Sequence, residues 1–361
     1  MIVGLDVPAE IGMAEAEVQT PALLIDLDAF DANLAAMRRI AEEAGIALRP
    51  HAKTHKSVDV AKAQIERGGA RGICCQKVSE AEVFVAGGIA DVFVTNEVRD
   101  PAKIARLKAL AEHARIGVCV DDPAAVAELA GAPLHVYVEI DVGQGRCGCA
   151  PEDAADIARR IVETPGLTLA GLQAYQGAAQ HLPDRDAAMA RVMDGVRTAL
   201  AGLDGEGIAC PEVTGAGTGS YAHEIASGLY TELQCGSYIF MDADYRARGG
   251  DGVSPFRHAL FVLAGIMSRA PGRAICDAGL KAMSMESGLP LVSGIEGVAY
   301  VGPSDEHGTI DDPVGRLAIN DRVRLIPGHC DPTCNLHDWY VGVRGGVVET
   351  LWPVSARGKV W

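Results

Sequence analysis

The sequence lacks any apolar run of about 18 residues, the least that a membrane-spanning helix needs. Positive charge is scarce. Lys and Arg number 32 against 48 Asp and Glu, a formal net charge of -16. A mean field of that sign repels phosphate polymers, so no nucleic acid and no anionic membrane surface is expected as a partner. Aromatic residues make up only 5%, and the three tryptophans are Trp339, Trp352 and Trp361. Ten cysteines form no CxxC pair, and most lie in apolar runs such as Gly72-Ile73-Cys74-Cys75. Thiols in such runs act as small hydrophobes, which points to a reducing, cytoplasmic setting. The opening MIVGLDVPAEIGMAEAE has acids and no basic stretch, so no signal peptide is expected. With 48% hydrophobic and 22% charged residues, disorder is excluded as well. One residue is in excess: 42 glycines in 361 residues, about 12% against a usual value of about 7%.

A chain of this length suggests about two domains. Short β-rich runs recur at Ala47–Lys53, Arg71–Gln76, Asp91–Asn96, Arg115–Val120, His135–Asp141, Leu167–Tyr175, Glu212–Gly217 and Tyr230–Gly236. Helix-patterned segments fall between them, including Asp59–Arg67, Ser79–Ala86, Pro101–Ala114, Pro123–Leu129, Pro151–Glu163 and Arg185–Leu203. Pro101, Pro123 and Pro151 stand near helix starts, where proline fits best. Eight βα units in roughly 220 residues match a closed (β/α)8 TIM-like barrel, with an open doubly wound sheet as the alternative. After about Asp251 helix gives way to short β runs and turn clusters. The expected division is a barrel over 22–250 and a mostly-β domain over 251–361, joined by residues 1–21. Gly249-Gly250-Asp251-Gly252 reads as the linker, and Ala259–Leu263 as a run that pairs with N-terminal residues.

Five constellations carry chemistry. The first is Arg49-Pro50-His51-Ala52-Lys53-Thr54-His55-Lys56. If it ends the first strand, His51, Lys53 and His55 share a face at the barrel mouth. A lysine among cations there becomes a usable amine nucleophile; the plain alternative is a solvated basic loop. The second, Thr214 to Ser220, follows the seventh strand, where barrels often bind phosphate. Gln234-Cys235-Gly236-Ser237 after the eighth strand supplies further small residues. The third is Pro327 to Asp338, dense in ligand-type side chains. In an extended segment His329 and Asp331 lie on one face with Cys330 opposite, a pair suited to Mg²⁺ or Mn²⁺. A turn with buried cysteines is the alternative. The fourth places Tyr175 at a strand tip and His181, a general base or a bystander, in the next loop. In the fifth, Glu139 to Gly148, Arg146 either holds an anion or pairs with Glu139 or Asp141.

These motifs, read in order, are specific. RPHAKTHK (49–56), GICCQKVSEAE (72–82), VGQGRCG (142–148), LQAYQGAAQH (172–181), GAGTGS (215–220), ELQCGSYIFMDADY (232–245), DAGLK (277–281), DEHG (305–308) and HCDPTCNLHD (329–338) resemble the alanine-racemase-like, fold type III pyridoxal 5′-phosphate (PLP) enzymes. Within these, the resemblance is to the D-threonine aldolase and D-serine dehydratase branch, from about Thr20 to Trp361. It implies Lys53 as the Schiff-base lysine. It implies Gln76, Arg146, Tyr175, Gly217, Thr218, Gly219, Gly236, Ser237 and Tyr245 as cofactor contacts, His181 as base, and His329 and Asp331 as metal ligands. The dehydratases have Cys where this chain has Asp331, so an aldolase with a harder ion than zinc is implied. The expected reaction is retro-aldol cleavage of a D-3-hydroxy amino acid, 3-hydroxy-D-aspartate giving glycine and glyoxylate. D-Threonine cleavage and dehydration of D-serine or 3-hydroxyaspartate are the alternatives. A homodimer is implied too. One departure is Ala216, where the family often has a third consecutive glycine.

Overall fold

The structure is a computed structural model that describes residues 1–182, 184–248 and 254–361. The expected boundary at 250/251 and its glycine linker lie outside the described residues. Two compact units divide the chain. One comprises Met37–Lys53, Ala61–Gly236 and Lys359–Trp361, the other Met1–Ala36, Thr54–Val60 and Ser237–Gly358.

Strand β1 (Ala22–Asp26) and helix α1 (Leu27–Ala44) come first. Eight parallel strands follow: β2 (Ala47–Leu48), β3 (Ile73–Cys75), β4 (Asp91–Glu97), β5 (Arg115–Val120), β6 (His135–Glu139), β7 (Thr168–Ala174), β8 (Glu212–Gly215) and β9 (Glu232–Leu233). They pair in the order β2-β9-β8-β7-β6-β5-β4-β3. A parallel bridge between His51 and Cys74, with Cys74 N–H donating to Pro50 O at 2.8 Å, joins the last strand to the first. The barrel is therefore closed, and the open-sheet alternative falls. Cys74, Phe93, Cys119, Tyr137 and Ala170 pack as one cluster drawn from five successive strands. That is how a barrel interior fills with side chains.

The alternating helices are α2 (Val58–Glu66), α3 (Val78–Ala86), α4 (Pro101–Leu110), α5 (Pro123–Leu129), α6 (Ala154–Glu163), α7 (Arg185–Gly205), α8 (Tyr221–Ser227) and α9 (Ala243–Arg248). Their starts are written locally. Asp100, Asp122 and Asp184 accept backbone N–H bonds as N-caps, and Pro101 and Pro123 occupy the first turn. Pro151 instead opens a 3-10 turn, Pro151–Asp153, that leads into α6.

The second unit is mostly β, as expected. Its strands are β10 (Leu260–Ala270), β11 (Gly272–Cys276), β12 (Leu291–Val292), β13 (Ala299–Pro303), β14 (Gly308–Asp312), β15 (Arg322–Ile326), β16 (Trp339–Arg344) and β17 (Val347–Pro353), with the short helix α10 (Cys330–Cys334) before β16. Residues 22–26, which the sequence pattern assigns to the barrel domain, lie in this sheet. β1 runs antiparallel to β10, Ala22 opposite Leu263, and parallel to β16. The reason is composition: ALLID is almost wholly apolar and buried, as a central strand must be. The expected pairing of Ala259–Leu263 with N-terminal residues is the same ladder. Gly345 and Gly346, at φ +56° and +79°, make the tight turn between β16 and β17 that non-glycine residues resist.

Candidate active site

The C-terminal ends of the barrel strands gather most of the predicted residues. β2 stops at Leu48, and Ala52–Thr54 form a 3-10 turn. The expected sharing of one strand face by His51, Lys53 and His55 is thus overturned, because a 3-10 turn does not alternate faces. His51 Nδ1 accepts the Lys53 backbone N–H at 3.3 Å. Its ring proton therefore sits on Nε2, which donates to Thr95 Oγ1 at 2.9 Å, and Thr95 donates on to Cys75 O at 3.2 Å. His51 is a buried strut for the lysine turn. Lys53 itself is half-buried. His55 is fully buried in the other unit, its Nδ1 accepting the Ser57 N–H and its carbonyl the Tyr340 hydroxyl at 2.6 Å.

Gln76 joins the strut: its Nε2 lies 3.3 Å from Thr95 Oγ1 and 3.2 Å from His51 Nε2. Tyr175 stands at the tip of β7. A methyl added to Gly177 would come within 2.7 Å of its ring, and one on Gly217 within 3.6 Å. Two backbones thus approach one aromatic ring closely, a cradle that side chains would narrow. Arg146, exposed on the loop after β6, lies with its guanidinium 5.9 Å from the Tyr175 centroid and 3.9 Å from Glu139 Oε1. Of the two sequence readings of Arg146, the structure bears on the pairing, which is with Glu139.

The loop after β8 turns at Ala216, buried with φ +71°, a left-handed conformation that costs an L-residue strain. That explains why glycine suits this position in the family pattern, from which this chain departs. Gly217 N–H donates to Ser220 Oγ at 3.1 Å, and Thr218 is buried beside them in sequence. Gly219 accepts from Arg185 at 3.4 Å. Gly236 closes this unit's contribution after β9. His181 is exposed on the 3-10 turn Ala179–His181.

The β-rich unit holds the remaining predicted residues. Ser237 is buried in the turn Ser237–Ile239. Tyr245 lies on α9, and its N–H donates to Asp242 Oδ1 at 2.9 Å. The other oxygen of Asp242 accepts the Cys330 N–H at 3.0 Å. One buried carboxylate therefore ties the Tyr245 segment to the candidate metal segment. There His329 and Asp331 do come together, Nε2 to Oδ1 at 3.9 Å. Asp331 belongs to the first turn of α10 rather than to an extended run. His329 Nδ1 bonds Glu286, so Nε2 is the ring nitrogen that could face a metal. Cys330 and Cys334 are buried, and burial pushes both thiols up. As neutral thiols they are poor zinc ligands.

A primary amine, buried hydroxyls on a glycine-built loop and a cradled aromatic ring fit an aldehyde that bears a phosphate. One imidazole and one carboxylate fit a divalent ion that keeps open positions. Among the described residues no cluster of three or more ligand-type side chains forms a closed metal cage.

Sequence reasoning missed several residues. Glu139 is buried, and desolvation, then the neighbouring Glu97, push its carboxyl up to about 8. Glu97 Oε1 is buried without a hydrogen-bond partner. Asp242 sits inside a recognisable motif, ELQCGSYIFMDADY, whereas Glu286 has no signal near it.

A lysine amine beside a glycine loop at the C-terminal end of a parallel barrel places the chain in a class, and the family comparison places it in the same one. The alanine racemase N-terminal domain matches residues 25–244, and a serine dehydratase domain matches 259–343. The chain belongs to this alanine-racemase-like family. Within it, the chain is 53% identical to the 3-hydroxy-D-aspartate aldolase of Paracoccus denitrificans (strain Pd 1222), over 99% of this chain and 97% of that one. It is 48% identical to a D-threonine aldolase of Arthrobacter sp, with the same coverage of 99% and 97%. The crystal structure of D-threonine aldolase from Filomicrobium marinum matches with a TM-score of 0.95 at 44% identity, covering 98% of this chain and all of that one.

Proposed function

We propose that this protein is a PLP- and divalent-metal-dependent lyase that cleaves 3-hydroxy-D-aspartate to glycine and glyoxylate. The observation that carries the reading is likeness to a 3-hydroxy-D-aspartate aldolase along nearly the whole chain. A second reading, D-threonine cleavage to glycine and acetaldehyde, is favoured by the match to the D-threonine aldolase structure.

When bound, PLP supplies an electron sink for the pair released as the Cα–Cβ bond breaks. Lys53 would hold the cofactor aldehyde through its side-chain amine. Through Thr95, His51 keeps the lysine turn in place. Gln76, Arg146, Tyr175 and Tyr245 would contact the cofactor, and Gly217, Thr218, Gly219, Gly236 and Ser237 would take its phosphate. His329 and Asp331 would hold Mg²⁺ or Mn²⁺, which would supply positive charge that acidifies the substrate's β-hydroxyl. His181 removes that proton. The reading includes a homodimer, and ten cysteines without a disulfide suit a reducing, cytoplasmic compartment.

The test is a product assay on both substrates, with and without EDTA. Glyoxylate from 3-hydroxy-D-aspartate, with a higher kcat/KM than acetaldehyde from D-threonine, is expected. EDTA should abolish turnover and Mn²⁺ restore it. Ammonia and a keto acid as products would make the protein a dehydratase, and indifference to EDTA would remove the metal role.

A further inference from the structure

We propose that Glu224 is a proton-linked brace beneath the glycine loop, and that its neutral form is the one that lets a phosphate monoester bind there. The proposal rests on the reading that residues 215–220 take the cofactor phosphate. Glu224 lies on α8 and is 1% exposed. Its Oε1 accepts from Ser220 Oγ at 2.9 Å, and that same Oγ accepts the Gly217 N–H at 3.1 Å. A continuous chain therefore runs from the loop backbone to the buried carboxyl. Its Oε2 is buried and has no hydrogen-bond partner among the described residues.

An ionised carboxylate with one bare oxygen in a dry pocket is costly. Among the described residues no cation offsets its charge. Tyr230 donates to Ala174 O at 2.8 Å, and Cys235 is fully buried. Burial keeps both in their neutral forms. The Arg185 guanidinium bonds the Gly219 carbonyl at 3.4 Å. Burial pushes Glu224 up to about 7, opposed by hydrogen bonds from Ser220 and backbone. It therefore titrates where a phosphate monoester is already a dianion.

Placing a dianion on the loop adds like charge near the carboxyl and favours its protonated state. A neutral Glu224 can also donate its proton to Ser220 Oγ, which frees the Ser220 hydroxyl hydrogen from its bond to the carboxylate. By linkage the effect is reciprocal. The phosphate raises the affinity of Glu224 for its proton, and loss of that proton weakens phosphate binding by the same factor.

The test compares PLP with pyridoxal, which lacks the phosphate, on the apoenzyme of the wild type and of Glu224→Gln. Dissociation constants are measured spectroscopically from about pH 7 to about pH 9. Across that window the wild type should lose about tenfold more PLP affinity than Glu224→Gln, an ordinary size for coupling between sites. Pyridoxal should not distinguish the two proteins. A second measurement needs no variant. Calorimetry of the wild type in buffers of different ionisation enthalpy should show proton uptake with PLP beyond that with pyridoxal. Parallel pH profiles for wild type and variant, or equal uptake for PLP and pyridoxal, overturn the role of Glu224. Equal affinities for PLP and pyridoxal at every pH would instead overturn the phosphate reading of the loop, and this proposal with it.

Discussion

At the N-terminal ends of the barrel strands charge is buried and paired, whereas at the C-terminal ends the loops are rich in glycine. Arg49, fully buried, bonds Glu232 at 3.0 Å and also Asp91. Arg71 reaches Glu212 at 2.5 Å and Glu232, and Arg115 reaches Asp91 at 3.3 Å. Tyr137 donates to Glu212 at 2.6 Å, and Thr214 to Glu232 at 2.7 Å. Three cations thus meet three carboxylates, so the strand starts are closed by a neutral, cross-linked floor. At the opposite end lie Lys53, Arg146 and the loop 215–220, which the proposed function gives to the cofactor. The same eight strands hold both ends, so the difference lies in side-chain chemistry. A floor needs every buried charge matched. A site needs at least one charge left for the ligand.

The comparison can be broken or sharpened by substitution. The largest effect belongs to the open end. Lys53→Ala should abolish the Schiff-base absorbance and cut turnover by about 10⁴-fold or more, with thermal stability nearly unchanged. Retained absorbance would show that another amine holds the cofactor. At the closed end the pattern should invert. Glu232→Gln strips a buried partner from Arg49 and should cost about 3–5 kcal/mol in denaturant unfolding, while the folded fraction keeps its cofactor spectrum. Unaltered stability would mean that the floor is not a structural cross-link.

The smallest effect concerns Glu139, a floor-like buried acid placed at the open end. Its folded pKa, about 8, lies above the ordinary 4.5. Between those values the folded state keeps a proton that the unfolded chain has lost, so stability falls as pH rises from about 4.5 to about 8 and then levels. Glu139→Gln removes the titration. It should therefore be more stable than wild type at pH 9, and no more stable at pH 4. Equal pH profiles of melting temperature would refute the raised pKa.

Much of this architecture is legible in the residues. The eight barrel strands lie where apolar β runs alternate with helix patterns, since that alternation reports on local backbone preference and one-sided burial. Pro101 and Pro123 mark helix starts because the missing N–H of proline is harmless there. The motif residues Lys53, Tyr175 and the loop 215–220 are legible as chemistry. Other features are not. The pairing of β1 with β10 is expected from the run Ala259–Leu263, but nothing local says that β1 also pairs with β16. β16 and β17 carry no clear local mark; their pairing turns on Gly345-Gly346 and on long-range partners. The strut from His51 to Thr95 joins residues 44 apart in the chain.

The sequence by itself determined the fold class and the motifs that mark the family, because periodicity and functional-group chemistry are carried residue by residue. Only the tertiary structure decided which groups share protons and charges. Glu139 beside Glu97, Asp242 between Tyr245 and Cys330, and Glu224 beneath the glycine loop owe their behaviour to burial and to neighbours. Burial is a property of the packed chain, and no spacing along the sequence encodes it.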